Sequence, residues 1–311
     1  MKSIAAKYHW TAHESISEGL QRIAGEQLQL AILELGTNGK LTNNKGSLDK
    51  AVHEARKSVK KIRSALRLVR GVLGKEYDKA NGVLRDAGRQ LSPLRDSQAL
   101  IEIFDELNGK YREELGDRSL ISVRDGLVAR KKKLHRSFQR QRVSGKVVKS
   151  LRELGKGIEK WDLDKTDFGA ISNAFATTIR QNRKACHRAY ADALPEGFHE
   201  WRKRVKDLRY HLALLHHAWP PVLDAYAQAA KDLEHRLGDD HNLVVLRDTV
   251  LKSPDDFGKE DISALLQIVD HHQQQLRAEA KSLAIPLYSE KTTSVRLSAS
   301  ASATSSGSID S

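Results

Sequence analysis

Cysteine is nearly absent from this 311-residue chain. Cys186 stands alone, so no internal disulfide can brace the fold, and the composition suits a reducing compartment. It lies in the stretch Asn182-Arg183-Lys184-Ala185-Cys186-His187 and reads as a small packing residue rather than a nucleophile. Proline is scarce too, with six in the whole chain, and long stretches run free of both proline and clustered glycine. Aromatic residues make up 5%, and β-branched residues are thin, which argues against a large sheet. No apolar run approaches the roughly 20 residues of a membrane span. The start, MKSIAAKYHWTAHES, has no apolar signal-peptide core, so the reading predicts a cytoplasmic protein with no membrane partner. Acidic residues also fall short: 40 Asp and Glu face 53 Lys and Arg, leaving a net charge of +13. An excess of that size repels itself in the folded state and points to an anionic partner.

What is abundant is Leu, Ala, Arg, Lys, Glu and Gln, the strong helix formers. The expected class is all-α. Apolar spacing in residues 14–35 (Ile16, Leu20, Ile23, Leu28, Leu30, Leu33) predicts a first helix ending at Gly36. Ser47 and Asp49 are candidate caps for a second, about 48–73. Two more are expected at about 76–107 and 119–155, then four at about 167–193, 197–217, 221–251 and 259–284, with Pro195 and Pro220-Pro221 marking helix starts. Residues 1–285 read as the folded domain, with a first repeat over about 10–155 and a second over about 160–285. From 286 to 311 the chain turns to Ser, Thr, Ala and Gly and is expected to be a disordered tail.

The repeat rests on one alignment. Val52-His53-Glu54-Ala55-Arg56-Lys57-Ser58-Val59-Lys60-Lys61-Ile62-Arg63 matches Phe198-His199-Glu200-Trp201-Arg202-Lys203-Arg204-Val205-Lys206-Asp207-Leu208-Arg209 at an offset of 146 (199 − 53). The offset continues without a gap through Leu66/Leu212, Asp86/Asp232, Leu91/Leu237 and Leu100/Leu246. On a helical wheel His53, Arg56, Lys57, Lys60, Arg63 and Arg67 share one arc, opposite Val52, Ala55, Val59, Ile62, Leu66 and Val69. The second copy sets His199, Arg202, Lys203, Lys206 and Arg209 opposite Trp201, Val205, Leu208 and Leu212. Like charges at i,i+4, such as Arg56/Lys60, Arg63/Arg67 and Arg202/Lys206, each cost a few tenths of a kcal/mol. A merely solvated face would interleave acids. Cations stacked at roughly 5.4 Å per turn suit an extended, regularly charged polyanion.

The twice-given His-Glu-x-Arg-Lys-x-x-Lys-x-x-Arg resembles the signature of the CHAD family, the conserved-histidine α-helical domain. Leu237-Gly238-Asp239-Asp240-His241-Asn242 is similar to that family's second-half Leu-Gly-x-x-Asn-Asp stretch. The likeness covers about residues 10–285. It implies two four-helix bundles related by a pseudo-twofold, their basic helices lining a central channel that binds inorganic polyphosphate, and it implies association with polyphosphate granules. Two departures stand out: the first half reads Leu91-Ser92-Pro93-Leu94-Arg95-Asp96, and position 241 is His where the family more often has Asn.

Further cations are weaker candidates. Arg180, Arg183 and Lys184 form a stripe ahead of the second motif, and His241 joins them as a possible contact. The run Arg130, Lys131, Lys132, Lys133 and Arg136 covers all helix faces and reads as solvated. Catalytic signals are missing. Gly36 to Thr42 has its glycines too close for a phosphate loop, and no carboxylate set to hold Mg²⁺ is visible. Asp239, Asp240 and His241 read as a helix turn rather than a metal site. The sequence therefore predicts a non-catalytic binder of polyphosphate or another linear polyanion, with no cofactor and no metal. Nucleic-acid binding is the alternative, disfavoured because few aromatics are at hand for base stacking, and a polyphosphate-processing enzyme is a third class.

Overall fold

Each long amphipathic stretch buries its apolar stripe against a neighbouring helix in the computed structural model, which describes residues 8–288 except 12, 38–44, 116–119, 164–165 and 219. The part of the expected tail at 289–311 and most of the Gly36–Thr42 stretch lie outside the described residues. The helices are α1 (Ile16–Thr37), α2 (Lys45–Leu68), α3 (Arg70–Leu73), α4 (Lys75–Lys110), α5 (Arg112–Leu115), α6 (Ile121–Arg140), α7 (Val143–Gly155), α8 (Phe168–Asp192), α9 (Pro195–Leu214), α10 (Pro220–Lys252) and α11 (Lys259–Tyr288). No strand occurs among the described residues, and the all-α expectation holds.

In the first half α2 packs between α1 and α4, and α7 closes on both of those; in the second, α9 packs between α8 and α10, with α11 against α10. The halves share cores. One joins Ile62, Leu66 and Val69 of the first with Leu208, Leu212 and Leu214 of the second. Another joins Leu100 and Phe104 of α4 with Leu243 and Leu246 of α10. The inward residues expected for α2 and α9 are all buried, Trp201 among them, each contributing roughly 1.5–3 kcal/mol of apolar burial.

Four expectations need correcting. The single helix at 119–155 is two, because Arg142 takes a left-handed conformation with φ 52° that breaks the ladder between α6 and α7. Helix α2 starts at Lys45, so Ser47 and Asp49 lie inside it rather than capping it; Asp49 instead accepts from Lys131 Nζ at 2.5 Å. In α1 the buried register runs through Ala31 and Leu35, and Leu33 is exposed. Finally, α11 carries on through Pro286 to Tyr288, three residues into the stretch read as tail. Leu287 is buried, and Tyr288 Oη accepts from Trp201 Nε1 at 3.1 Å. A proline in the last turn forfeits one helical hydrogen bond, which these contacts offset.

Candidate functional site

Helices α2 and α9 each lay a row of cations against a partner helix. From α2, Arg56 donates to the Gly88 carbonyl at 3.1 Å and to the Ser92 hydroxyl on α4, with Asp96 at 3.6 Å. Farther along, Arg63 Nε donates to Asn81 Oδ1 at 2.9 Å. From α9, Arg209 meets Glu234 of α10 at 2.6 Å and Lys206 meets the same carboxylate at 3.6 Å. Arg202 lies over Gly238, where an added Cβ would sit 3.7 Å from its Nε. The offset that aligned the motifs also maps Gly88 to Glu234, Ser92 to Gly238 and Arg95 to His241. His53 accordingly shares an opening with Arg95, along with Asp49, Lys50, Gln98 and Glu102, while His199 stacks on His241 with ring centroids 4.2 Å apart and Nδ1 atoms 3.1 Å apart.

The two helices are tied directly to each other. Arg67 Nη1 donates to the half-buried carboxylate of Asp207. His211, buried and held down to about 4 by burial, is neutral near pH 7. Its Nε2 donates to the Ser64 carbonyl at 2.9 Å, since a carbonyl can only accept.

Between these ties the cations of both rows converge. Lys60 is pulled down to about 6, by burial first and then by Lys206, Arg56 and Arg202. Lys206 falls to about 8, again by burial and then by Arg202. Burial also lowers Arg56 and Arg202; Arg95 and Arg202 add to the effect on Arg56, while the carboxylates of Glu234, Asp96, Asp239 and Asp240 oppose it at Arg202. His199 drops to about 4 and His241 to about 3, both through burial followed by neighbouring cations. His53, half exposed, is lowered by burial and by Arg95. Lys60 and Arg202 form no hydrogen bond or ion pair with any described residue, and the Nε atoms of Arg56 and Arg202 are buried without a partner there.

Other candidates are set apart. Lys57 and Lys203 point outward and pair with Glu54 and Glu200 one turn back. Arg180 donates to Thr177, Lys184 is exposed, and Arg183 donates to the Tyr288 carbonyl at 2.8 Å. All three ride on α8, which meets α9 along Arg204 and His211, opposite the Arg202 row. The structure does not bring them to the cluster, so that part of the sequence reading is corrected. His241 does join it. Asp239, Asp240 and His241 turn to three different partners, His235, Arg277 and His199. Among the described residues no group of three or more His, Cys, Asp or Glu could hold a metal ion. Sequence reasoning missed Arg95, Asp96, Asp207 and Glu234; Arg95 was within reach, since the same offset carries it to His241.

A family model for the CHAD domain matches residues 28–251. The chain belongs to the CHAD family. The crystal structure of the CHAD domain from the plant Ricinus communis is similar to this chain with a TM-score of 0.64 at 18% identity, covering 91% of this chain and 95% of that one. At that identity the likeness speaks for the fold, an all-α CHAD fold. No curated protein matches the sequence. CHAD domains are linked to polyphosphate binding in general. No helix among the described residues is long and apolar enough to cross a membrane.

Proposed function

We propose that this CHAD domain binds inorganic polyphosphate without turning it over, holding the chain against the converging cations of α2 and α9. In this reading the two rows line one basic channel, and the halves are related by a pseudo-twofold. The observation that carries it is Lys60, a mostly buried cation with no hydrogen-bond or ion-pair partner among the described residues, beside Arg202, which also makes no direct pair there although the carboxylates of Glu234, Asp96, Asp239 and Asp240 act on it from a distance. A withdrawn charge without a counter-ion costs several kcal/mol, and the non-bridging oxygens of a phosphate chain supply the missing partners. Arg56 and Lys206 extend the row on either side, and the opening at His53 gives a chain room to enter.

Base stacking has little to work with here, which favours a bare phosphate chain over nucleic acid. Tyr210 is buried with its face covered by Arg209 at 4.6 Å, and Trp201 is buried. Of the acids near the cluster, Glu234 and Asp207 are taken up by Lys206, Arg209 and Arg67, and Asp96 lies 3.6 Å from Arg56, which leaves them poorly placed to hold Mg²⁺ for hydrolysis. The single cysteine suits the cytoplasm, where we place the protein, at polyphosphate granules.

The test is a competition titration of polyphosphate against heparin, RNA and DNA in one buffer, run on three proteins. Arg56→Gln with Lys60→Gln, and Arg202→Gln with Lys206→Gln, are each expected to weaken polyphosphate binding about tenfold or more and to flatten its salt dependence. Tighter binding of RNA than of polyphosphate overturns the ligand assignment. One double variant without effect beside another that abolishes binding overturns the shared channel.

A further inference from the structure

The most strongly charged surface outside this cluster is the outer face of α6. Arg130, Lys132, Lys133, Arg136 and Arg140 are all exposed, and none makes an ion pair or side-chain hydrogen bond with a described residue. No acid occurs between Asp125 and Glu153. Lys132/Arg136 and Arg136/Arg140 are like charges at i,i+4, so the helix bears their repulsion without the interleaved glutamates that would relieve it. The row spans roughly 15 Å at 1.5 Å per residue. The large apolar residues beneath it, Leu127 and Phe138, are buried, so the face offers neither a ring for a base nor an apolar anchor for a bilayer. What it offers is charge.

Its position is fixed by Lys131. That side chain turns inward and donates to both Asp49 and Gln98 at 2.5 Å, two of the residues that line the opening at His53 and Arg95. The residues flanking Lys131 are Arg130 and Lys132, so the exposed row begins at the rim of the opening from which the buried cations lead inward.

We infer that α6 is a second, outer track for the same ligand, on which a long polyphosphate chain emerging past His53 and Arg95 continues over Lys132, Lys133, Arg136 and Arg140. The inference rests on the polyphosphate reading above and adds a division of labour to it. The buried cluster holds a short stretch of phosphates tightly, and the α6 row lends length-dependent avidity through contacts that are solvated and easily screened.

The test compares tripolyphosphate with long-chain polyphosphate on the wild type and on the variant Lys132→Gln, Lys133→Gln, Arg136→Gln, Arg140→Gln, with duplex DNA as a third ligand. The substituted side chains are exposed and make no ion pair or side-chain hydrogen bond with a described residue, and an unchanged melting temperature checks that the fold does not need them. The expected result is equal tripolyphosphate affinity in the two proteins, with long-chain affinity about tenfold weaker in the variant and a shallower salt slope. Equal long-chain affinity overturns the outer track and leaves the buried site standing. Loss of DNA binding with unchanged polyphosphate binding assigns the face to nucleic acid and also overturns it. A wild type that binds no polyphosphate of either length overturns both readings together.

Discussion

Replacing Lys60 with methionine should make the free protein more stable and the ligand complex weaker. Lys60 sits among Lys206, Arg56 and Arg202 and is drawn from 10.5 down to about 6, by burial first. The unfolded chain takes up a proton on this lysine below pH 10.5, whereas the folded protein resists doing so until about pH 6. The unfolded state therefore holds more protons between those limits, and stability is lost as pH falls through that window. At about 1.4 kcal/mol per pH unit, the gap between 10.5 and pH 7 sets an upper bound near 5 kcal/mol. The side chain keeps some contact with water, which brings the cost down to roughly 1–3 kcal/mol. Lys60→Met retains the aliphatic stem and removes the charge, so it should gain about that much at pH 7. The gain should be largest near pH 6–7 and fade by pH 10. Urea denaturation from pH 6 to pH 10 measures it, and polyphosphate titration on the same samples should show binding about tenfold weaker. A variant less stable than wild type at pH 7, or a gain that does not shrink towards pH 10, refutes the account of Lys60 as an uncompensated buried cation.

Removing Asp207 by Asp207→Ala should cost about 2–4 kcal/mol, because it strands Arg67 at the α2–α9 contact; a double variant with Arg67→Ala should lose less than the two single losses combined, as read by chemical denaturation. His199 and His241, held at about 4 and about 3, are neutral at pH 7, so stability should fall as pH drops below 6.5, and His241→Asn should relieve part of that loss. A polyanion favours their charged forms, so affinity should rise across the same acid range, and His199→Gln with His241→Gln should remove most of that rise. Gly126→Ala should destabilise by about 1–3 kcal/mol, since its Cβ would fall 2.5 Å from the Asp256 carbonyl and 2.6 Å from the Phe257 ring; an unchanged melting temperature would show that the loop of residues 253–258 yields freely.

Much of the fold is legible because α2 and α9 carry their apolar residues at unbroken 3.6-residue spacing; that is why Val59, Ile62, Val205 and Leu208 fall inward where the wheel puts them. The break at Arg142 left only a faint mark. Gln141 and Arg142 are ordinary helix residues, and the one sign of the break is the five-residue step from Phe138 to Val143, which leaves the i,i+3/i+4 spacing. Pro286 misled in the opposite direction, since its usual helix-ending role gives way when Leu287 and Tyr288 find buried partners. Within the site, the motif located the cations but not their counter-ions, because Asp96 and Glu234 arrive from α4 and α10 and no local periodicity ties them to α2 or α9.

Those counter-ions separate cations that hold the fold together from the cations our proposal gives to a ligand, and they also make the two rows unequal. Where α2 has Lys61, α9 has Asp207; where α4 has Gly88, α10 has Glu234. Both exchanges put an acid into the second half, and each acid is spent on a basic residue of the motif: Asp207 on Arg67, Glu234 on Lys206 and Arg209. On the first-half row, Asp96 approaches Arg56 at 3.6 Å, Arg63 hydrogen-bonds the neutral Asn81 and feels Asp207 from a distance, and Lys60 has no hydrogen-bond or ion-pair partner among the described residues. Placing a carboxylate opposite Lys60 as well would neutralise the cluster and raise stability, yet it would also fill the place a phosphate must take. The sequence instead leaves Lys60 facing the repulsion of Lys206, Arg56 and Arg202 with no direct acid partner among the described residues, and tolerating that cost is what the proposed anion site would require.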